Sequence, residues 1–348
     1  MNIHHPLDAA SYYFKDTLVS YLDRRCHREN IIIHVETRED SGLHIGNLTT
    51  FVAAFALAAV LKQRFGRNVR VRFVYTPASG DECTIGGVRY QRHALPNGVH
   101  EVNPSPFMRV VRRISEFFGI PFDTATQSLW RDNPEFSDVL QAIVAKLKSC
   151  SLTSRLVIRA PCPQCGLMDK RGTHSCFDDD GHISFDCPRH GQYAAHLHDP
   201  REWHRLNFNA PFRNLLRVIL CSRDKNNSWI LCAGAHYGGF YQDQLMWRFL
   251  DNPDNAPPIF YSPLIVDSSG GRLSESLFRD QDPYDFHFDF GLEYMISVFR
   301  FLGRHGGLEA LCREVHAWME EPHRLFRNYS MQYIDTQLRR RGMTALQR

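Results

Sequence analysis

The sequence predicts an α/β protein built on a parallel sheet, interrupted by a small metal-binding insert and closed by a helical segment. Three observations carry this. Two apolar, β-branched runs, "IIIHVET" at 31–37 and "VRVRFVYT" at 69–76, flank a long helix-like run, the pattern of a right-handed β-α-β crossover. The alternation of helix-like and strand-like runs resumes after residue 199. Between the two stretches, residues 160–198 lose helical period and carry Cys, His, Asp and Pro.

The elements follow in order. "NLTTFVAAFALAAVLKQRF" (47–65) reads as a helix that is apolar nearly all round at its start, and "GRN" closes it. Residues 78–105 contain Gly and Pro and read as irregular, whereas 106–119 and 135–149 read as amphipathic helices. After the insert, "FRNLLRVILCS" reads as helix, "SWILCAG" (228–234) as strand, "YQDQLMWRFL" as helix and "PIFYSPLIV" (258–266) as strand. From about residue 287 the chain reads as mostly helical. The expected units are therefore 1–159, the insert 160–198, a second half 199–286 and a helical segment 287–348.

Composition narrows the class. The chain has 348 residues, 43% hydrophobic and 23% charged, as soluble globular proteins do. A net charge of +3 gives no whole-molecule sign of nucleic-acid binding, although "QLRRRGMTALQR" is locally basic. No apolar run approaches the length of a membrane span, and the start, "MNIHHPLDAA", has no basic-then-apolar leader pattern. A cytoplasmic protein with no membrane partner is the expectation. Of ten cysteines, four cluster between 162 and 187, which favours metal over disulfides. The other six, Cys26, Cys83, Cys150, Cys221, Cys232 and Cys312, read as buried free thiols.

The insert carries "CPQC" at 162–165 and "CPRH" at 187–190, with 21 residues between them. Two tight turns, each offering two soft or borderline ligands, suit tetrahedral zinc. Cys162, Cys165, Cys187 and His190 are the ligand set; a variant would use Cys176 or His174 in place of one of them. Four protein ligands leave no open position, so the zinc is expected to be structural.

The junction "EDSGLHIGNL" (39–48) lies between the first strand and the first long helix. A helix N-terminus presents unpaired N–H groups and positive dipole charge, and glycine lets a phosphate approach the backbone. A His and an Asn there can donate to phosphate oxygens. "GLHIGN" resembles the HIGH motif of class I aminoacyl-tRNA synthetases, and "DSSGGRLSES" (267–276) resembles their KMSKS loop, with Arg272, Leu273, Ser274, Glu275 and Ser276 at the signature positions. Within that superfamily the chain is most similar to class I lysyl-tRNA synthetases. The resemblance rests on the Asn of "HIGNL", the insert between the two halves, "GGFYQD" (238–243) with His236 before it, and "APPIFYSPLIV" leading into the loop. Departures are "EDSG" for the family's Pro-Ser-Gly, "VYTPASGDE" for an acidic cluster, Asn207 where an Asp would fall, and a short C-terminal segment where an anticodon-binding domain would follow.

The resemblance implies a Rossmann-like (HUP-type) catalytic domain, with ATP and Mg2+ as cofactors and formation of an aminoacyl-adenylate. It implies His44 and Asn47 on the triphosphate, Gly42 and Gly46 permitting close approach, and Arg272, Ser274 and Ser276 over the pyrophosphate. Tyr75, His236, Tyr237 and Tyr241 are the candidates for the amino-acid pocket. The implied substrate is lysine or a related amino acid, and the acceptor a tRNA acceptor end or a small molecule, peptide or carrier. The alternative is a non-catalytic paralogue that binds nucleotide or tRNA for regulation, motivated by the altered "EDSG" and "RLSES" stretches.

Overall fold

The computed structural model describes residues 17–38, 43–76, 82–92, 106–148, 156–172, 176–178, 181–238, 246–250, 252–267, 269–273 and 290–344. Among them, five strands form the central sheet: β1 (Asn30–Arg38), β2 (Asn68–Thr76), β3 (Phe122–Thr126), β4 (Asn227–Gly234) and β5 (Ile259–Ser262). All neighbours are parallel, in the order β3-β2-β1-β4-β5. The chain steps outward from β1 to β3, then returns to the other side of β1. Strand order thus reverses between β1 and β4, where the carboxyl ends of a doubly wound sheet part to form a crevice.

The two faces of β1 explain the layers. Ile31, Ile33 and Val35 point one way and Ile32 the other, the two-residue period of a strand. On the first face pack α1 (Thr17–Arg25), α2 (Ile45–Phe65), α3 (Pro106–Phe118), α6 (Gly307–Glu320) and α7 (Met331–Arg340). On the second pack α4 (Phe136–Lys148), α5 (Ala210–Arg223) and part of the insert. Helix α2 corrects one expectation: its 21 residues are long and apolar enough for a membrane span, yet 67% of the apolar window is buried. It lies between the sheet and α6, so it needs an apolar surface on both sides.

Other differences have local causes. Strand β3 escaped the sequence reading because it is a short, half-exposed edge strand just after Pro121. It is tied to its neighbour by Arg72, whose Nη2 donates to Asp123 Oδ2 at 2.8 Å. The stretch 78–105, expected to be irregular, contains a hairpin, Glu82–Ile85 with Val88–Arg92. Gly86 and Gly87 turn it, at φ 57° and 79°, a left-handed pair that matches strand twist. Its second strand pairs with Leu167–Asp169, so the insert is docked on the first half by strand pairing. The run 258–266 divides at Pro263. Ile265–Val266 leaves the sheet and pairs in parallel with Tyr329–Ser330 of the C-terminal segment. Of "YQDQLMWRFL", only 246–250 are described, with a short turn of helix at Trp247–Phe249.

The C-terminal segment shares the first-face core, with Trp318 stacked on Tyr329 at 4.7 Å. Beneath them Glu314 is fully buried, accepting from Trp318 Nε1 at 3.0 Å, Arg324 Nη1 at 3.2 Å and Arg341 Nε. Removing one partner of a buried ionic cluster strands the others. Glu314→Ala is expected to cost about 3 kcal/mol in urea unfolding, the low end for such a loss because both arginines reach solvent.

Candidate nucleotide and substrate cavity

The N-terminus of α2 is capped by the motif itself. His44 is the N-cap, with extended backbone, and its Nδ1 accepts the Gly46 N–H at 3.1 Å. In return, Asn47 Oδ1 accepts the His44 N–H at 3.2 Å, a reciprocal capping box. The side chains are thereby oriented: Nδ1 is an acceptor, so Nε2 carries the ring proton, and Asn47 Nδ2 remains a donor. Gly46 has a steric role, because a Cβ there would stand 2.9 Å from His44 Cε1 and 3.0 Å from Nδ1. Gly46→Ala is expected to push the ring off the cap. Its stability should change by less than about 1 kcal/mol, since Ala is the better helix former.

The other half of the site comes from the strand ends. His236 lies in the turn Ala235–Tyr237 that follows β4. Beyond β5, Asp267 shapes a tight turn: its Oδ1 accepts from Ser269 N and Gly271 N, each at 2.9 Å. Arg272 leaves this turn and bridges back to Val266. Thr50 of α2 meets Ser262 of β5 at 2.6 Å, which fixes the helix entry against the sheet. A cavity of about 600 Å³ opens at this edge, lined by His44, Gly46, Asn47, His236, Tyr237 and Arg272 among others. Tyr75 is not among its lining residues; its ring packs on Phe107 and its hydroxyl donates to Met108 Sδ at 2.8 Å. Gly42, Tyr241, Ser274 and Ser276 lie outside the described residues.

Both histidines are held neutral. Burial, then the Arg272 charge and then His236, lowers His44 to about 4; burial and Arg272 bring His236 to about 4 as well. The sign follows from linkage. The unfolded chain takes up a proton at His44 below about pH 6.5 while the native state resists it until about 4, so stability is lost as pH falls through that window. Thermal melts from pH 6.5 to 4.5 are expected to fall more steeply for the native sequence than for His44→Ala.

The far wall holds a group that the sequence reading missed. Glu36, at the end of β1, receives Arg213 Nε at 3.1 Å and Nη2 at 2.8 Å on Oε1, and Arg217 Nη1 at 2.6 Å on Oε2. Burial alone would raise its carboxyl, but the two guanidinium groups hold it down to about 2. All three line the cavity, as do Arg159 and Lys170. The available signal was a pair of arginines four residues apart in the otherwise apolar "APFRNLLRVIL", which puts both on one helix face.

In the insert, the ligand atoms of Cys162, Cys165, Cys187 and His190 lie within 4.8 Å of one another. Cys165 and Cys187 sulfurs are 3.6 Å apart, and His190 Nδ1 is 3.5 Å from Cys162 Sγ and 3.6 Å from Cys187 Sγ. Tetrahedral zinc with ordinary bond lengths would set these edges at about 3.8 Å for S–S and about 3.5 Å for S–N. The group can hold a metal ion. Each knuckle is closed by a left-handed glycine, Gly166 at φ 70° and Gly191 at φ 74°. His174 and the Cys176 side chain lie outside the described residues.

No family model matches the sequence, and no curated protein matches it. Among solved structures, an arginyl-tRNA synthetase from Campylobacter jejuni is similar at 10% identity and a TM-score of 0.33, over 76% of this chain and 63% of that one. Glutamate–tRNA ligases from Elizabethkingia meningosepticum and Elizabethkingia anophelis are each similar at 12% identity and a TM-score of 0.31, over 74% of this chain. The chain spans 53% and 54% of those two structures.

Proposed function

We propose that the chain binds ATP and activates an amino acid as its acyl-adenylate. The observation that carries the reading is the meeting of His44, Asn47 and Arg272 on one cavity at the strand-order reversal. The amino-acid carboxylate oxygen attacks the α-phosphorus, a new P–O bond forms, and the bond to pyrophosphate breaks. His44 Nε2–H and Asn47 Nδ2–H donate to phosphate oxygens from the helix N-terminus, and Arg272 offsets charge on the departing pyrophosphate. Ser274 and Ser276 would join Arg272 there. No enzyme nucleophile is required; positioning and charge stabilisation do the work.

Mg2+ accompanies ATP in such chemistry. Among the described lining residues Glu36 is the sole carboxylate, and it is engaged by two arginines, so the cavity's described residues offer no ligand set for it. Zinc in the Cys3His group is structural in this reading. The activated acyl group passes to a tRNA acceptor end or to an amine, thiol or hydroxyl of a small molecule, peptide or carrier.

The test is ATP–pyrophosphate exchange against the twenty amino acids, without and then with tRNA. Exchange with one amino acid is the expected result. Silence across the panel in both conditions would overturn the adenylation reading and favour nucleotide binding without chemistry.

A further inference from the structure

We propose that the cavity selects an amino acid whose side chain carries a carboxylate, read by Arg213 and Arg217 on the far wall. The inference rests on the adenylation reading for its setting and departs from the lysine suggested by sequence resemblance.

The charge of the cavity is the first argument. Its described lining carries five permanent cations, Arg159, Lys170, Arg213, Arg217 and Arg272, against the single carboxylate of Glu36; of the five, Lys170 is also paired with Glu82 outside the lining. His44 and His236 add no charge at neutral pH. A lysine side chain would bring a further ammonium into this field. To be held it would need a carboxylate of its own, and Glu36 already accepts three guanidinium hydrogen bonds, two on Oε1 and one on Oε2.

The second argument is the state of the arginine pair. Two guanidinium groups share one carboxylate, which leaves one positive charge uncompensated at the wall. Arg217 is only 8% exposed: Nη1 donates to Glu36, Nη2 to Asn214, and the buried Nε has no partner among the described residues, while Arg213 adds a bond from Nη1 to the Phe208 carbonyl at 2.7 Å. A buried cation without a full counter-charge is costly, and an incoming carboxylate relieves that cost. Arginine is also the side chain whose planar fork matches a carboxylate.

Position separates this subsite from the phosphates. Arg213 and Arg217 belong to α5, on the second face of the sheet, whereas His44 and Asn47 open α2 on the first. Tyr237 lines the same cavity, and its phenol feels the charges of Glu36, Arg213, Arg217 and Arg272. A substrate in this cavity can therefore meet Arg272 with its reacting carboxylate and the α5 pair with its side chain.

The experiment is calorimetric binding of L-glutamate, L-aspartate, L-glutamine, L-asparagine and L-lysine to the full chain with a non-hydrolysable ATP analogue, beside the exchange assay. One acidic amino acid is expected to bind at least about tenfold more tightly than its amide and than lysine, since a site built for a carboxylate rejects analogues lacking it. Arg213→Gln should cut the acid's affinity about tenfold and leave the amide's unchanged. Should that variant fail to fold, Arg213→Lys, which keeps the charge and loses the fork, should weaken the acid by a smaller factor. Tighter binding of lysine or of an amide, or no binding of either acid, overturns the inference. Exchange with such a competitor would leave adenylation standing. Selective binding of an acid without exchange would support the pocket and sink the adenylation.

Discussion

His44→Ala is expected to lower ATP–pyrophosphate exchange by about a hundredfold or more, the loss seen when a preorganised donor to a charged transition state is removed. The ring does two jobs at once. Its Nδ1 caps α2 through the Gly46 amide, and its Nε2 is left to donate into the cavity. Alanine removes both and should also cost about 1 kcal/mol of stability, the usual loss for an N-cap. His44→Ser separates the jobs, because serine is a strong N-cap yet too short to present an N–H to phosphate. Its melting temperature should stay near that of the native sequence while exchange stays as low as with alanine. Full exchange activity in either variant would remove His44 from the site.

Loss of metal is the second large effect. Protein purified without chelators is expected to carry about one equivalent of zinc, and Cys187→Ser to carry almost none. Structural zinc contributes on the order of 10 kcal/mol to small folds, so the variant's melting temperature should fall by about 10 °C or more. The damage should reach the cavity. The insert's strand Leu167–Asp169 is paired to the hairpin strand Val88–Arg92, and Lys170 follows it directly into the cavity lining. Arg159 is held by the same corner, donating to the Lys170 carbonyl at 2.8 Å and to Asn207 Oδ1 at 2.6 Å. In the proposed reading, amino-acid affinity should therefore drop more than ATP affinity, whose proposed contacts lie at the start of α2. Metal analysis giving near-zero zinc in the native protein would sink this expectation.

What could be seen in the sequence was what local pattern dictates. The β1-α2-β2 unit declares itself by apolar runs, and the two knuckles by four ligands at fixed spacing. His44 and Asn47 are picked out by the resemblance of "GLHIGN" to a known helix-entry motif, and the structure places both at the start of α2 on the cavity lining. The missed features depend on distant partners. Strand β3 is legible only as the neighbour of β2, where Asp123 answers Arg72. Glu36 looks like a strand-end carboxylate, and Arg213 and Arg217 look like the solvent face of a helix. Only the fold, by laying α5 over the end of β1, turns three ordinary charges into one wall of a cavity. Helix α2 reads as a helix from the sequence; only its span-like length is missed, because burial on two sides and burial in lipid ask for the same composition.

The pairing of Ile265–Val266 with Tyr329–Ser330 works as a latch. The strand that feeds the Arg272 turn is held at its edge by the C-terminal segment, with Tyr329 N–H donating to the Leu264 carbonyl at 2.8 Å. The five-stranded sheet does not depend on that latch. A proteolytic nick between α6 and Tyr329 would leave the latch held by packing alone, through Tyr329, Met331, Ile334 and Leu338 in the first-face core, and no longer by chain continuity. Such a clipped protein would pass a circular-dichroism check, so intact mass has to be verified before any silent exchange assay is believed.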